Sequence, residues 1–362
     1  MPANRSVWGR IMRIFCTRLS LLLLLVPATR LILGQSEPAL SNIPRVDMHS
    51  HIANLELMED YLAMSRNLKE SAGVNLEVFI DLLNYRDRGS TLQPGMQGLE
   101  FLEEVDQRFE GRFLLALSDY RIANGLQFPP EELAEWQRRG VVGYKIWVGV
   151  SDLIDDPAND PTFTKMEQLG MVGVGVHISQ PFPTKWCEDP VEFWKAQNAW
   201  ERVLDRHPRL KVVQAHMLDH FNSDEQLDYL SYVLETYPNV NLDLAARFQQ
   251  FHRMDREKLR SFVIRYADRI LFGTDISQQP REDGPEGAAE RYLRCFKLLE
   301  TDSTVDRGFF GGQPAVGLAL PQEVLEKIYY KNAVRIFPRV GKVLAQLGYE
   351  IALPEEAEDG IE

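Results

Sequence analysis

Histidine and aspartate recur in this sequence where a folded chain could bring them together. Of seven His, four lie in or at the end of short apolar runs. His49 and His51 belong to Asp47-Met48-His49-Ser50-His51, His177 to Gly175-Val176-His177-Ile178, and His216 to Gln214-Ala215-His216-Met217. Asp275 ends a further run, Phe272-Gly273-Thr274-Asp275. Side chains at i and i+2 of a strand point to one face, so His49 and His51 can share one cation. Imidazole and carboxylate suit Zn²⁺, with Mn²⁺ or Fe²⁺ as alternatives. A third imidazole from His177 and a carboxylate from Asp275 would complete a site with a position left for water, as a catalytic metal needs. Each residue alone has a plainer reading. A lone His at a strand end is more often a satisfied packing residue, and Asp275 alone would serve as a helix N-cap. Only the set, at the ends of four separate runs, argues for chemistry. His207, beside Pro208, reads as structural; His220 and His252 sit in or after loops, within reach of a substrate.

Two cations accompany this set. Lys145 lies in Gly143-Tyr144-Lys145-Ile146-Trp147, and Arg247 ends Leu242-Asp243-Leu244-Ala245-Ala246-Arg247. A buried Lys must find an anion or lose its charge. For Lys145 that anion is a substrate carboxylate, Asp275, or the negative end of its own carbamate bridging two metals. Arg247 is a candidate clamp for a substrate anion, and otherwise an inter-strand ion-pair residue.

The elements that must position these residues are legible. Eight apolar runs start at Arg45, Leu76, Arg112, Val142, Val172, Leu210, Val240 and Arg269, about 30 to 40 residues apart, the length of a strand–helix unit. Several do not alternate, as expected of parallel strands covered on both faces. Between them, Glu192–His207 and Asp224–Tyr237 carry apolar stripes at helical spacing, and Pro208 and Pro238 end them. Eight strands alternating with helices predict a closed (β/α)₈ barrel, whose chemistry gathers at the C-terminal ends of the strands. No GxGxxG or P-loop signature supports an open nucleotide-binding sheet. Specificity is expected in the long loops around 84–98, 151–163, 180–190 and 277–317, where Phe182, Trp186, Phe309 and Phe310 either line a pocket or pack on the barrel.

With these motifs assembled, the chain resembles the amidohydrolase superfamily, in particular the amidohydrolase-related group that includes metal-dependent non-oxidative decarboxylases. The resemblance rests on DMHSHI at 47–52, GYKIW at 143–147, GVHIS at 175–179, QAHM at 214–217 and FGTDIS at 272–277, with KNAVRIF at 331–337 similar to the closing helix. It covers about residues 44–340. It implies a TIM barrel in which His49, His51, His177 and Asp275 bind one or two metal ions, and His216 is catalytic or a second-metal ligand. Asn332 and Phe337 are expected to cap and pack. The expected reaction is hydrolysis of an amide, ester or lactone by activated water, with Asp275 as base, His216 steadying the oxyanion, and Lys145 or Arg247 holding a substrate anion. The alternatives are decarboxylation of an aromatic or enoic acid, and a non-catalytic metal- or ligand-binding barrel.

Composition bounds the rest. The chain has 362 residues and a formal charge of −13. An acidic globule repels phosphate backbones, so the expected partner is a small molecule and not nucleic acid; a homo-oligomer is compatible with the sequence. Residues 1–34 hold five Arg and no acid, and Arg10, Arg13 and Arg18 precede the apolar run Leu19 to Thr29. That order reads as a secretory signal, and the run is short against the roughly 20 residues of a spanning helix. The expected division is a signal at 1–34, a linker at 35–43, the barrel at 44–340 and an acidic tail at 341–362. The protein is then exported, periplasmic or secreted, with membrane contact only through an uncleaved N-terminus. Two cysteines outside the signal, Cys187 and Cys295, cannot form a disulfide framework. N-terminal sequencing of the mature protein should find a start near Gln35; a mature chain that retains Leu19–Val26 contradicts export by cleavage.

Overall fold

The computed structural model describes residues 42–52, 54–85, 98–118, 129–147, 154–178 and 188–352. The expected signal, most of the linker, Cys16, Cys187, Phe182, Trp186 and the chain beyond residue 352 lie outside the described residues. Within them are eight parallel strands in sequential order: β1 (Pro44–Ser50), β2 (Asn75–Tyr85), β3 (Phe113–Ser118), β4 (Gly143–Trp147), β5 (Val172–His177), β6 (Val212–Gln214), β7 (Val240–Asp243) and β8 (Ile270–Leu271). This is the expected (β/α)₈ barrel. β8 is shorter than its apolar run, and the chain beyond it completes the circle. Met48 N–H donates to Phe272 O at 3.1 Å and Asp275 N–H to His49 O at 2.9 Å, and Ser50 bridges Ile276 in parallel register.

Buried Asp47 ties this closure. It accepts from the N–H groups of His49 (2.9 Å) and Thr274 (3.2 Å), from the Thr274 hydroxyl, and from Tyr292 Oη (2.6 Å). Two residues apart on a regular strand, Asp47 and His49 would share a face. The β1 register breaks between Asp47 and Ser50, and the two diverge: Asp47 meets the helix Gly284–Glu300 through Tyr292, while His49 meets Asp243 at the end of β7.

The helices follow local sequence signals. Asp189 accepts from Glu192 N–H and Pro190 opens the helix Pro190–Arg206, an acidic cap ahead of a proline that needs no donor. The segment expected as loop at 151–163 is helical from Pro157, because Asp156 accepts from Ala158 N–H. Asn332 caps as expected, donating to Ala267 O (2.7 Å) and Ile270 O (2.8 Å), and Phe337 is buried. The last helix, Pro338–Gln346, runs across residue 340, where the tail was expected to begin. Its Val340, Val343 and Leu344 join a buried cluster with Val46, Val78, Leu114 and Leu271 of the strands. Cys295 is a buried free thiol, and Phe309 packs edge-on to Tyr292. No helix among the described residues is long and apolar enough to cross a membrane.

Candidate metal centre

The structure brings His49, His51, His177, His216 and Asp275 together. Ligand atoms of His49, His177 and His216 lie within 4.8 Å of one another, as do those of His49, His51 and Asp275. The two groups share His49. Its Nδ1 lies 2.8 Å from Asp243 Oδ2, which leaves one nitrogen, Nε2, for both groups. One nitrogen bonds one ion, so the two groups compete for His49 rather than each holding an ion with a full set of three donors.

Hydrogen bonding fixes which face each ring presents. His177 Nδ1 lies 2.7 Å from Gly175 O, and His216 Nδ1 lies 2.8 Å from Ala245 O. A carbonyl oxygen only accepts, so both Nδ1 atoms carry protons and both Nε2 atoms carry lone pairs. Those lone pairs face each other across 2.8 Å. Only a proton or a metal cation relieves that opposition, and a proton is disfavoured. Burial holds His177 well below the ordinary imidazole range and lowers His216 to about 3, with Lys145 and Arg247 adding to the respective shifts. An imidazole whose far nitrogen is tied to a carbonyl or carboxylate is the usual form of a metal-binding His.

The charge balance agrees. Burial lowers Lys145 to about 8, opposed by Asp275, Asp243 and Asp81. With Lys145 and a protonated His49 as the cations, these three carboxylates still leave an excess of negative charge that a bound cation would offset. For His49, burial opposes protonation but Asp243 outweighs it and raises the ring to about 9; a cation must displace a proton there. Burial also favours neutral Asp275, but hydrogen bonds from His49 and His51 hold its carboxyl well below the ordinary range. His51 is lowered to about 4, by burial and then by Lys145. The donors thus fit a divalent transition ion. The opening lies on the side of His51 and Asp275, whose side chains are 17% and 27% exposed while His49 is fully buried.

Backbone strain gathers here. Among the described residues, eight non-glycine residues have positive φ, and six of them are His216, Met217, Leu218, Asp219, Ala246 and Asp275. The run 216–219 is one left-handed turn, with φ of 56°, 53°, 55° and 60°, closed by His220 N–H donating to Met217 O at 3.0 Å. Left-handed backbone costs roughly 1–2 kcal/mol per non-glycine residue, so surrounding contacts must hold it. Two glycines relieve strain elsewhere. Gly175, at φ 52°, offers its carbonyl to His177, and a Cβ there would meet Leu82 at 2.6 Å; a Cβ on Gly273 would lie 3.0 Å from His49 Cβ.

Other expected site residues lie differently. Arg247 is 1% exposed and turned to the protein, bonding His216 O, Ala246 O and Asp219. This is the inter-strand ion pair, not a group open to substrate. His220 is buried against Phe193, Trp194 and Tyr229, away from solvent. His207 lies near Asp160 (3.3 Å) and Glu167 (3.4 Å), a structural placement. Sequence reading missed Asp243, which bonds His49, and Asp81, whose charge acts on Lys145. Both stand in apolar runs, in Leu242-Asp243-Leu244 and Ile80-Asp81-Leu82, and an acid inside a buried parallel strand is the signal that finds them.

The sequence matches the amidohydrolase family over residues 46–339. The chain belongs to that family of enzymes. Among solved structures it is similar to an uncharacterized TIM-barrel protein from Bordetella bronchiseptica, at 15% identity and a TM-score of 0.51, covering 83% of this chain and 100% of that one. It is also similar to a putative amidohydrolase from Staphylococcus aureus (13% identity, TM-score 0.48, 82% and 100% covered). A dihydroxybenzoic acid decarboxylase from Polaromonas with bound manganese matches at 14% identity and a TM-score of 0.48, with 82% and 97% covered. Among curated proteins, none matches this sequence.

Because both donor groups compete for one nitrogen, metal analysis of the purified protein should find one divalent ion per chain. His49→Ala should lose it while the barrel still melts cooperatively. Two tightly held ions per chain, or full occupancy in His49→Ala, contradicts the shared nitrogen.

Proposed function

We propose that this protein is a metal-dependent hydrolase that cleaves an amide, ester or lactone, holding one Zn²⁺ or Mn²⁺ through His49, His51, His177 and Asp275, with His216 as a catalytic neighbour. When bound, such an ion lowers the pKa of water from about 16 towards 7 and polarises a carbonyl oxygen. The chain's own residues supply the rest. Asp275, at the open edge of the cluster, is placed to take a proton from water and pass it to the leaving group. His216 has Nδ1 committed to Ala245 O, so its one lone pair, on Nε2, faces His177 Nε2 across 2.8 Å, where an ion would lie, and its role is exercised there. Asp243 keeps His49 in the tautomer that offers Nε2.

The observation that carries this reading is the position of Asp275: its carboxylate lies 2.8 Å from His51 Nε2 at the more exposed edge of the cluster, where it can take a proton from water. Arg247 is spent on Asp219 and two carbonyls and takes no part in holding a substrate. We also propose that the protein works outside the cytoplasm, on the strength of the basic and apolar order of residues 10–29 alone.

A panel of amides, esters, lactones and aromatic acids in ¹⁸O-labelled water tests this. The expected product is an acid carrying ¹⁸O, with turnover in Asp275→Asn reduced on the order of 10²-fold or more, the scale of a positioned acid–base group. Release of CO₂ without ¹⁸O incorporation selects the decarboxylase instead. Near-normal turnover in Asp275→Asn removes the proposed base.

A further inference from the structure

We propose that Arg247 is a positioning residue for His216: its guanidinium staples a left-handed turn at both ends, and that turn sets the face His216 presents to the centre. The proposal rests on the reading of His216 as a catalytic neighbour of the ion. Ala215-His216-Met217-Leu218-Asp219 contains no glycine, yet its last four residues all occupy the left-handed region. Such a run is not stable by itself. Something must hold it; Gln197 Nε2 of the helix Pro190–Arg206 donates to Leu218 O at 3.4 Å, and the groups that reach His216 itself are on or just after β7.

Asp243 Oδ1 accepts from His216 N–H at 2.8 Å and from Ala245 N–H at 3.1 Å, while its other oxygen faces His49. Arg247 holds the same turn from the other side. Its Nε donates to His216 O at 2.8 Å, at the first residue, and its Nη2 donates to Asp219 Oδ1, at the last. Its Nη1 donates to Ala246 O at 3.1 Å, which anchors the guanidinium to its own strand. Only a rigid fork reaches three acceptors at once; an ammonium satisfies Asp219 but has no second nitrogen for His216 O. The ring of His216 is then held from β7 as well, through Nδ1 and Ala245 O. The backbone and ring of His216 are thus held by Asp243, Ala245 and Arg247 with Nε2 facing His177. A clamp for a substrate anion would point its nitrogens to the opening; here they point at backbone and at Asp219.

The test reads the His216 ring directly. Full-length protein with ¹⁵N-labelled histidine is examined by NMR, zinc-loaded and metal-free, and the His216 Nδ1–H signal is identified by its loss in His216→Ala. In Arg247→Lys that ring proton should exchange with water on the order of tenfold faster or more, as the turn opens locally, while zinc content and cooperative melting persist. Asp219→Asn, which removes the charge at constant volume, should move exchange in the same direction and carries the test alone if Arg247→Lys does not fold. Exchange as slow as in the unaltered protein, in every folded variant, overturns the proposal. Absence of zinc binding by the unaltered protein would instead count against the metal reading, and the metal-free ring signal would still decide the role of Arg247.

Discussion

Two imidazole lone pairs meet across 2.8 Å between His177 and His216, and neither ring is free to turn. Each has its other nitrogen committed to a backbone carbonyl. Every unusual feature nearby serves this opposition. Gly175 takes a left-handed conformation beside His177, and residues 216–219 take one without glycine. Asp243 links His49 to the same turn. A barrel core alone does not require such strain. A cation that attracts both lone pairs accounts for why the arrangement is worth its cost.

The barrel's closure and its centre are one construction. Asp47 and His49 leave β1 in different directions at the register break. One joins β1 to the chain after β8 through Thr274 and Tyr292; the other reaches β7. Asp275 sits directly after the closing segment, donating its N–H to His49 O. The same few residues therefore hold the last strand to the first and place the carboxylate beside the imidazoles. Burying these carboxylates beside Lys145 calls for further positive charge, which a protonated His49 supplies in part and which an ion held by the donor cluster would supply when bound.

Much of this was legible in the sequence. Strand ends are marked by the switch from an apolar run to His or Asp, and all eight runs became strands because a parallel barrel strand is apolar on both faces. His49, His51, His177, His216 and Asp275 followed from position alone. Asp243 did not, because a single acid between two leucines reads as a break in a run and not as part of a site. The left-handed turn left no trace, since Ala-His-Met-Leu-Asp has none of the glycines that announce positive φ. Arg247 looked like an anion clamp because its partner, Asp219, lies 28 residues earlier, and pairing across two strand ends is set by the fold rather than by local spacing.

His49 Nε2 is the donor common to both side-chain groups, and competition for it is what sets the expectation of one ion rather than two. Anomalous diffraction from crystals of the zinc-loaded protein, collected at the metal edge, measures this directly. One peak per chain is expected, roughly 2.0–2.1 Å from His49 Nε2, the usual zinc–imidazole distance, with Asp243 still bonded to Nδ1 of the same ring. Two peaks within the barrel mouth, or one peak that does not touch His49, would contradict it.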